Sequence, residues 1–219
     1  MSNMPFGVYL VVLFVGLVAL CALGAAISLF VEGWRHMSTA NQLARWRELY
    51  KKEFGIILGE VTIPPRKRGF GRLIIVAAGV TLGQVFAASG RRFSAFSYYN
   101  DLDAEVTEDE RTNTETYAFW VYDGVEADEW LKNLSADDIE AQRLAAETLM
   151  ERLLHELVYY DEVGQHLDVV NITLCAGSRD SDGFVPGVNW DTDYHRQHVG
   201  WYNPGSSSDR LRARQVIAA

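Results

Sequence analysis

The sequence predicts a membrane-anchored α+β protein, with an N-terminal transmembrane helix, a second span, a small mixed α/β soluble domain and a loop-rich aromatic C-terminal extension. Three observations carry that expectation. Residues 1–31 contain no Asp, Glu, Lys, Arg or His. A second uncharged run, residues 73–89, lies between Arg66, Lys67, Arg68 and Arg72 on one side and Arg91 and Arg92 on the other. The net charge of -9 is unevenly placed, with +5 on residues 32–72 and -14 on residues 90–219. With 48% hydrophobic and 22% charged residues, the 219-residue chain has a globular composition, which excludes a disordered or collagen-like protein. Its two cysteines exclude a disulfide-dense scaffold. The acidic balance argues against a general nucleic-acid binder.

The first apolar run, 8–30, is longer than the roughly 20 residues needed to cross the hydrocarbon. It has no polar face, unlike a helix buried on one side. It also lacks the basic leader of a cleaved signal peptide. Cys21 follows the bulky Leu20, so it reads as a buried thiol in a retained helix. Ala22 and Ala26, and Gly24 and Ser28, stand four apart, while Gly79 and Gly83 form GxxxG; small residues at that spacing let helices pack closely. Residues 73–89 are at the short end for a span. The competing reading is a buried strand at 73–80 followed by a short core helix, which periodicity alone does not separate. Under the positive-inside rule the basic residues 33–72 are cytoplasmic and the N-terminus is outside. Two spans then place the C-terminal domain outside the cytoplasm, and one span places it inside.

The expected division is therefore 1–32 for the first helix, 33–72 for the basic segment, 73–89 for the second span, 90–177 for the acidic domain and 178–219 for the extension. Ser38 is placed to cap a helix reaching about residue 54, with Leu43, Trp46, Leu49, Tyr50 and Phe54 on one stripe. Arg45, Arg47, Lys51 and Lys52 lie beside that stripe, and Arg66, Lys67 and Arg68 follow. This pattern suits either a helix lying on an anionic lipid surface or one packed on its own domain. Residues 112–122 alternate like a strand, 125–134 suggest a short acidic helix, and Ser135 caps a helix expected to reach about residue 160. That helix carries an apolar stripe, with Arg143, Glu147, Glu151 and Arg152 largely off it. Residues 167–175 read as a second strand. The extension is broken by Gly and Pro yet carries Phe184, Trp190, Tyr194, Trp201 and Tyr202, which points to ordered packing rather than a disordered linker.

The densest polar cluster is Asp191, Asp193, His195 and His198, four metal-donor side chains within eight residues and preceded by Asp180 and Asp182. A solvated loop is the competing reading. Aligning Gly183 as a calcium-loop glycine leaves Ser178 and Asn189 where acids are needed, so an EF-hand is excluded. No GxSxG, phosphate loop or dinucleotide fingerprint is present. Cys175 closes a buried strand and reads as an inert thiol, and His155 and His166 read as structural or surface side chains.

These features point to a non-catalytic, membrane-anchored structural or accessory subunit of a larger membrane protein assembly. Its expected partners are other membrane subunits and the lipid bilayer, with no cofactor. Trp190, Tyr194, Trp201 and Tyr202 are the expected partner interface, since aromatic residues anchor interfaces. The alternative is a membrane-tethered metal-binding enzyme or sensor built on the Asp191, Asp193, His195 and His198 cluster.

Overall fold

The structure, a computed structural model, describes residues 37–218. Its first element, α1 (Thr39–Phe54), starts where the Ser38 side chain accepts from the Asn41 N–H at 3.2 Å. Gly55, in the left-handed region at φ +68°, ends it. Gln42, Trp46 and Tyr50 stand one turn apart and meet the outer edge of β1 (Phe70–Val76). The Gln42 amide donates to Gly71 O at 2.9 Å and accepts from Leu73 N–H at 2.7 Å. Trp46 Nε1–H donates to Leu73 O at 2.8 Å; the Tyr50 hydroxyl donates to Ile75 O and accepts from Ala77 N–H, both at 2.9 Å. Four helical residues rise about 6 Å and two strand residues about 6.6 Å, so the two repeats stay in step. The helix thus satisfies a strand edge that would otherwise present bare N–H and C=O groups. Its aromatic stripe faces this domain's own core, and Arg45, Arg47, Lys51 and Lys52 are on the outside. Arg66, Lys67 and Arg68 are exposed in the loop before β1, where Arg66 donates to Phe70 O at 3.0 Å and lies over the Trp120 ring.

The expected second span is corrected by the structure. Residues 73–89 form most of β1, a turn through Gly79 at φ +74°, and the start of α2 (Leu82–Arg92). Thr81 stops any continuous helix: its hydroxyl accepts from Gln84 N–H, and the Gln84 side chain accepts from Thr81 N–H. Gly79 and Gly83 therefore form no helix-packing face. Gly79 makes the turn, and a Cβ on Gly83 would fall 2.7 Å from an Asp103 carboxylate oxygen. Three of the flanking arginines, Arg72, Arg91 and Arg92, bind carboxylates of this chain. Arg72 is buried, pairs with Asp123 at 2.8 Å and with Glu162, and lies 5.1 Å from the Tyr159 ring centre. Arg92 pairs with Glu53 and Asp161, and Arg91 with Glu53. Among the described residues no helix is long and apolar enough to cross a membrane. The expected first span, with Ala22, Gly24, Ala26 and Ser28, lies outside the described residues.

The chain continues through β2 (Ala95–Ser97), α3 (Leu102–Glu105), β3 (Val106–Asp109) and β4 (Tyr117–Tyr122), the last antiparallel to β1 with Leu73 opposite Trp120. A 3-10 turn, Glu129–Leu131, stands where a short acidic helix was expected. The single helix expected from Ser135 is two. α4 (Ala136–Ala141) ends before Arg143, which adopts φ +55°, and α5 (Leu149–Val163) restarts at a Thr148–Glu151 capping box.

β5 (Ile172–Leu174) lies within the strand expected at 167–175. The residues after it correct the expected loop-rich extension and form β6 (Ser178–Asp180), β7 (Val185–Asp191), β8 (Arg196–Tyr202), β9 (Leu211–Arg212) and β10 (Val216–Ile217). β10 joins the far side of β4, and β3 pairs with β6. The five-stranded sheet runs β2-β8-β7-β5-β9, with β2 parallel to β8 and β5 parallel to β9. α5 touches β1 of one sheet and β7 of the other and is buried from Leu149 to Tyr159. One face of the five-stranded sheet sends Val188 and Val199 into this core. At the β5 end, Val185, Leu174 and Tyr202 of that sheet pack with α4 residues. The β2–β8 end carries exposed Tyr98 and Tyr194.

Candidate functional site

The β7–β8 hairpin builds the open end. Its register runs from Val185 opposite Tyr202 to Asp191 opposite Arg196, leaving a four-residue loop, 192–195. The Asp191 carboxylate accepts from the N–H groups of Asp193 at 3.1 Å and Tyr194 at 3.2 Å, the ordinary way an Asp closes a turn. His195, at φ +50°, takes the left-handed position that four-residue hairpin loops use to re-enter the strand. The expected metal set is thus spread along a hairpin. Asp191 braces the loop, Asp193 and His195 are exposed in it, and His198 stands two residues along β8 against Phe96 and Tyr98. Among the described residues no three His, Cys, Asp or Glu side chains gather as a metal site.

Strand alternation places Arg196, His198 and Gly200 on one face of β8, across from Asp191, Asn189 and Gly187 of β7. β2 runs beside β8 with Phe96 opposite His198, and the chain stays attached through Tyr98 N–H to Val199 O at 3.0 Å. Phe96 and Tyr98 meet edge to face at 5.1 Å. A Cβ on Gly200 would stand 3.2 Å from the His198 ring, and a Cβ on Gly187 would strike the Tyr202 ring. The two glycines, paired across the hairpin, leave a flat floor for these rings. Burial, and then the neighbouring Arg196 charge, push the His198 imidazolium below its ordinary value, with Asp191 opposing, so the ring is mainly neutral at pH 7.

Arg196 is the unusual member. Its guanidinium carbon lies 4.1 Å from the Phe96 ring centre and 4.6 Å from that of Tyr194. Across the hairpin it faces Asp191 yet forms no ion pair with it, and its Nε–H has no partner. The guanidinium is fixed by two rings and keeps its hydrogen-bonding edge unused.

The four residues expected at an interface are divided between the two sides of the sheet. Tyr194, 70% exposed, belongs to the open face, and Tyr202 covers Gly187. Trp190 turns to the other side, stacked on His166 with Phe93 against its edge. Trp201 is exposed on that other side and packs on Phe184. Phe96, Tyr98 and Arg196 were not singled out by sequence. Alternation of Val199 and Trp201 with His198 and Gly200 was the available signal for β8.

A second concentration of charge was also missed, because it sits inside. Arg152 donates through Nε and Nη2 to Asp168 at 3.0 and 2.8 Å and through Nη1 to Glu156 at 3.0 Å. Arg214 Nη2 donates to the other Asp168 oxygen at 2.7 Å, as does Ala127 N–H. His155 Nδ1 meets Glu147 at 2.9 Å, and His166 Nδ1 meets Glu156 at 2.9 Å. Arg111 grips both oxygens of Glu151. Burial raises the Asp168 carboxyl, but Arg214 and Arg152 outweigh it and hold the group below its ordinary value. Glu147 and Asp128 are pushed up to about 7, chiefly by burial. Burial also drives His155 well down and the Cys175 thiol well up, so both are neutral. Perturbed groups of this kind occur both in active sites and in structural networks. Here the charged members bind one another and fasten α5, β5 and the segment between β9 and β10 that carries Arg214. At the surface, a cavity of about 310 Å³ is lined by Glu108, Asp109, Glu110, Glu140, Ser178 and Arg179. Within it the Ser178 hydroxyl is tied to Asp109 and the Leu149 N–H, and Arg179 to Glu140 and backbone carbonyls. The chain matches no protein-family model, no curated protein and no solved structure.

Proposed function

We propose that the chain is a non-catalytic protein-binding module, an accessory subunit that docks through the β2–β8 face of its five-stranded sheet. One observation carries this reading: Arg196 is held against Phe96 and Tyr194 with no carboxylate bound, beside exposed Tyr98 and a neutral His198. Tyr and Arg are the side chains that most often anchor interfaces, and here their rotamers are already fixed, which lowers the entropic cost of docking. The charged core fits the same reading, since it makes the scaffold rigid and leaves its charges engaged.

The test is site-specific photo-crosslinking in the native host. A photoreactive phenylalanine analogue at Tyr98 is expected to give one discrete adduct that disappears with Phe96→Ala. The same analogue at Ile57, which is 86% exposed in the loop after α1, is expected to give none. Equal labelling from both positions, or no adduct from Tyr98, sinks the proposal.

A further inference from the structure

We infer that the β2–β8 face receives an Asp or Glu side chain of its protein partner, seated on the Arg196 guanidinium, with a neighbouring Lys or Arg of the partner meeting Asp191 and Asp193. This rests on the docking reading above and adds the chemistry of the occupant.

Charge complementarity is the argument. Arg196 stands directly across the hairpin from Asp191, a pairing that ordinarily closes an ion pair. Instead the guanidinium lies over two aromatic rings, and no hydrogen bond or ion pair to it forms among the described residues. The Arg196 Nε is buried, so the two Nη groups at the end of the guanidinium are the edge left free, and that end matches a carboxylate bidentately. Aromatic surroundings exclude water from the contact, so the ion pair is screened less than on an open surface. Asp191 spends one carboxylate oxygen on the loop N–H groups, and neither Asp191 nor Asp193 has an ion-pair partner. The face therefore presents one cation beside two anions at the hairpin tip, and the complementary surface is one acid beside one or two bases.

The wider field agrees. Residues 1–37 hold one acid and one base, so the whole net charge of -9 belongs to residues 38–219. Such a domain repels a polyanion such as single-stranded nucleic acid and tolerates an acid set among bases. The aromatic rings would suit stacked bases, which makes an oligonucleotide the rival occupant to exclude.

The experiment pans a phage-displayed random peptide library, with no free peptide C-terminus, on the immobilised full-length chain. Enriched sequences are expected to share an Asp or Glu close to a Lys or Arg. A synthetic peptide from that set should lose affinity at least about tenfold, roughly 1.4 kcal/mol, when the acid becomes its amide. It should lose as much on Arg196→Gln and on Arg196→Lys, because a lysine cannot present the planar fork. Thermal melts of the variants confirm that they fold. Enrichment of acid-free peptides, no enrichment, an amide that binds equally well, or tighter binding of oligo-dT at the same face each overturns the assignment. If Arg196→Gln is silent while Tyr98→Ala abolishes peptide binding, the carboxylate assignment fails and docking on the face stands. Loss of the Tyr98 crosslink overturns both.

Discussion

Asp168 shows how much one side chain can organise here. It adopts φ +53°, in the left-handed region that Asp reaches more readily than most non-glycine residues. Its two oxygens take two arginines, the Thr173 hydroxyl and a backbone N–H. Asp168→Asn keeps the shape but removes the charge that Arg152 and Arg214 share. Two buried guanidiniums would lose their common counter-ion, so the expected loss is about 3–5 kcal/mol, read from the urea midpoint. A loss under about 1 kcal/mol would mean that Glu156 and the backbone carbonyls suffice, and that the network is less cooperative than its geometry implies. None of this was legible from the residue alone. Asp168 is the second residue of a stretch that reads as a strand, and Glu147, Glu151 and Arg152 fall largely off the apolar stripe of the helix expected from Ser135. Periodicity assigns such residues to solvent, whereas α5 is buried on every side and its charges are paid for by partners far away in sequence.

Elements were read best where local signals agree. The Ser38 and Ser135 caps each lie one residue before an observed helix, whereas Thr81 and Thr148, which cap α2 and α5, sit inside stretches that read as a continuous span and a continuous helix. What the caps did not reveal was the partner each helix finds. The Trp46 and Tyr50 stripe looks the same whether it meets lipid or a strand edge, and only the fold supplies β1 at matching pitch. Tyr50→Phe tests that ladder. It leaves Ile75 O and Ala77 N–H without the hydroxyl while preserving the ring, with an expected cost of about 1–3 kcal/mol in chemical denaturation. The hairpin tests the opposite case, a residue that looked like chemistry and serves geometry. His195→Gly removes a Cβ from the left-handed region and should stabilise by up to about 1 kcal/mol, while His195→Val should destabilise by a similar amount. Destabilisation by glycine, or metal-dependent stability in the wild type that glycine removes, would return His195 to a ligand role. The same hairpin explains the misread extension: Pro186, Gly187 and Gly200 look like loop punctuation, yet the glycines face each other across a ladder and admit the Tyr202 and His198 rings.

At the scale of the whole molecule, buried ionisable groups set the pH response. Glu147 and Asp128 hold protons up to about pH 7 when folded, against ordinary values of 4.5 and 3.8. The folded state therefore binds more protons than the unfolded chain between about pH 4.5 and 7, and their contribution to stability falls as pH rises through that window. His155 works against them. Its folded value lies well below 6.5, so the unfolded chain gains a proton first as pH drops below 6.5, which favours unfolding there. Two carboxyls against one imidazole leave the carboxyls ahead, and the fold should be about 2 kcal/mol more stable at pH 6 than at pH 8. Asp168 has the other sign: its depressed value stabilises the fold above pH 3.8, and that contribution is lost as pH falls through the folded value, which bounds the favourable range from the acid side. Melting temperatures across pH 5–9 check the slope, and Glu147→Gln assigns it. The amide mimics the neutral carboxyl beside His155, so the variant should match or exceed the wild type at pH 8 and show a visibly flatter profile between pH 6 and 8. An unchanged slope in Glu147→Gln would show that Glu147 is ionised in the fold, and that Arg214 and Arg152 outweigh burial at that carboxyl as they do at Asp168.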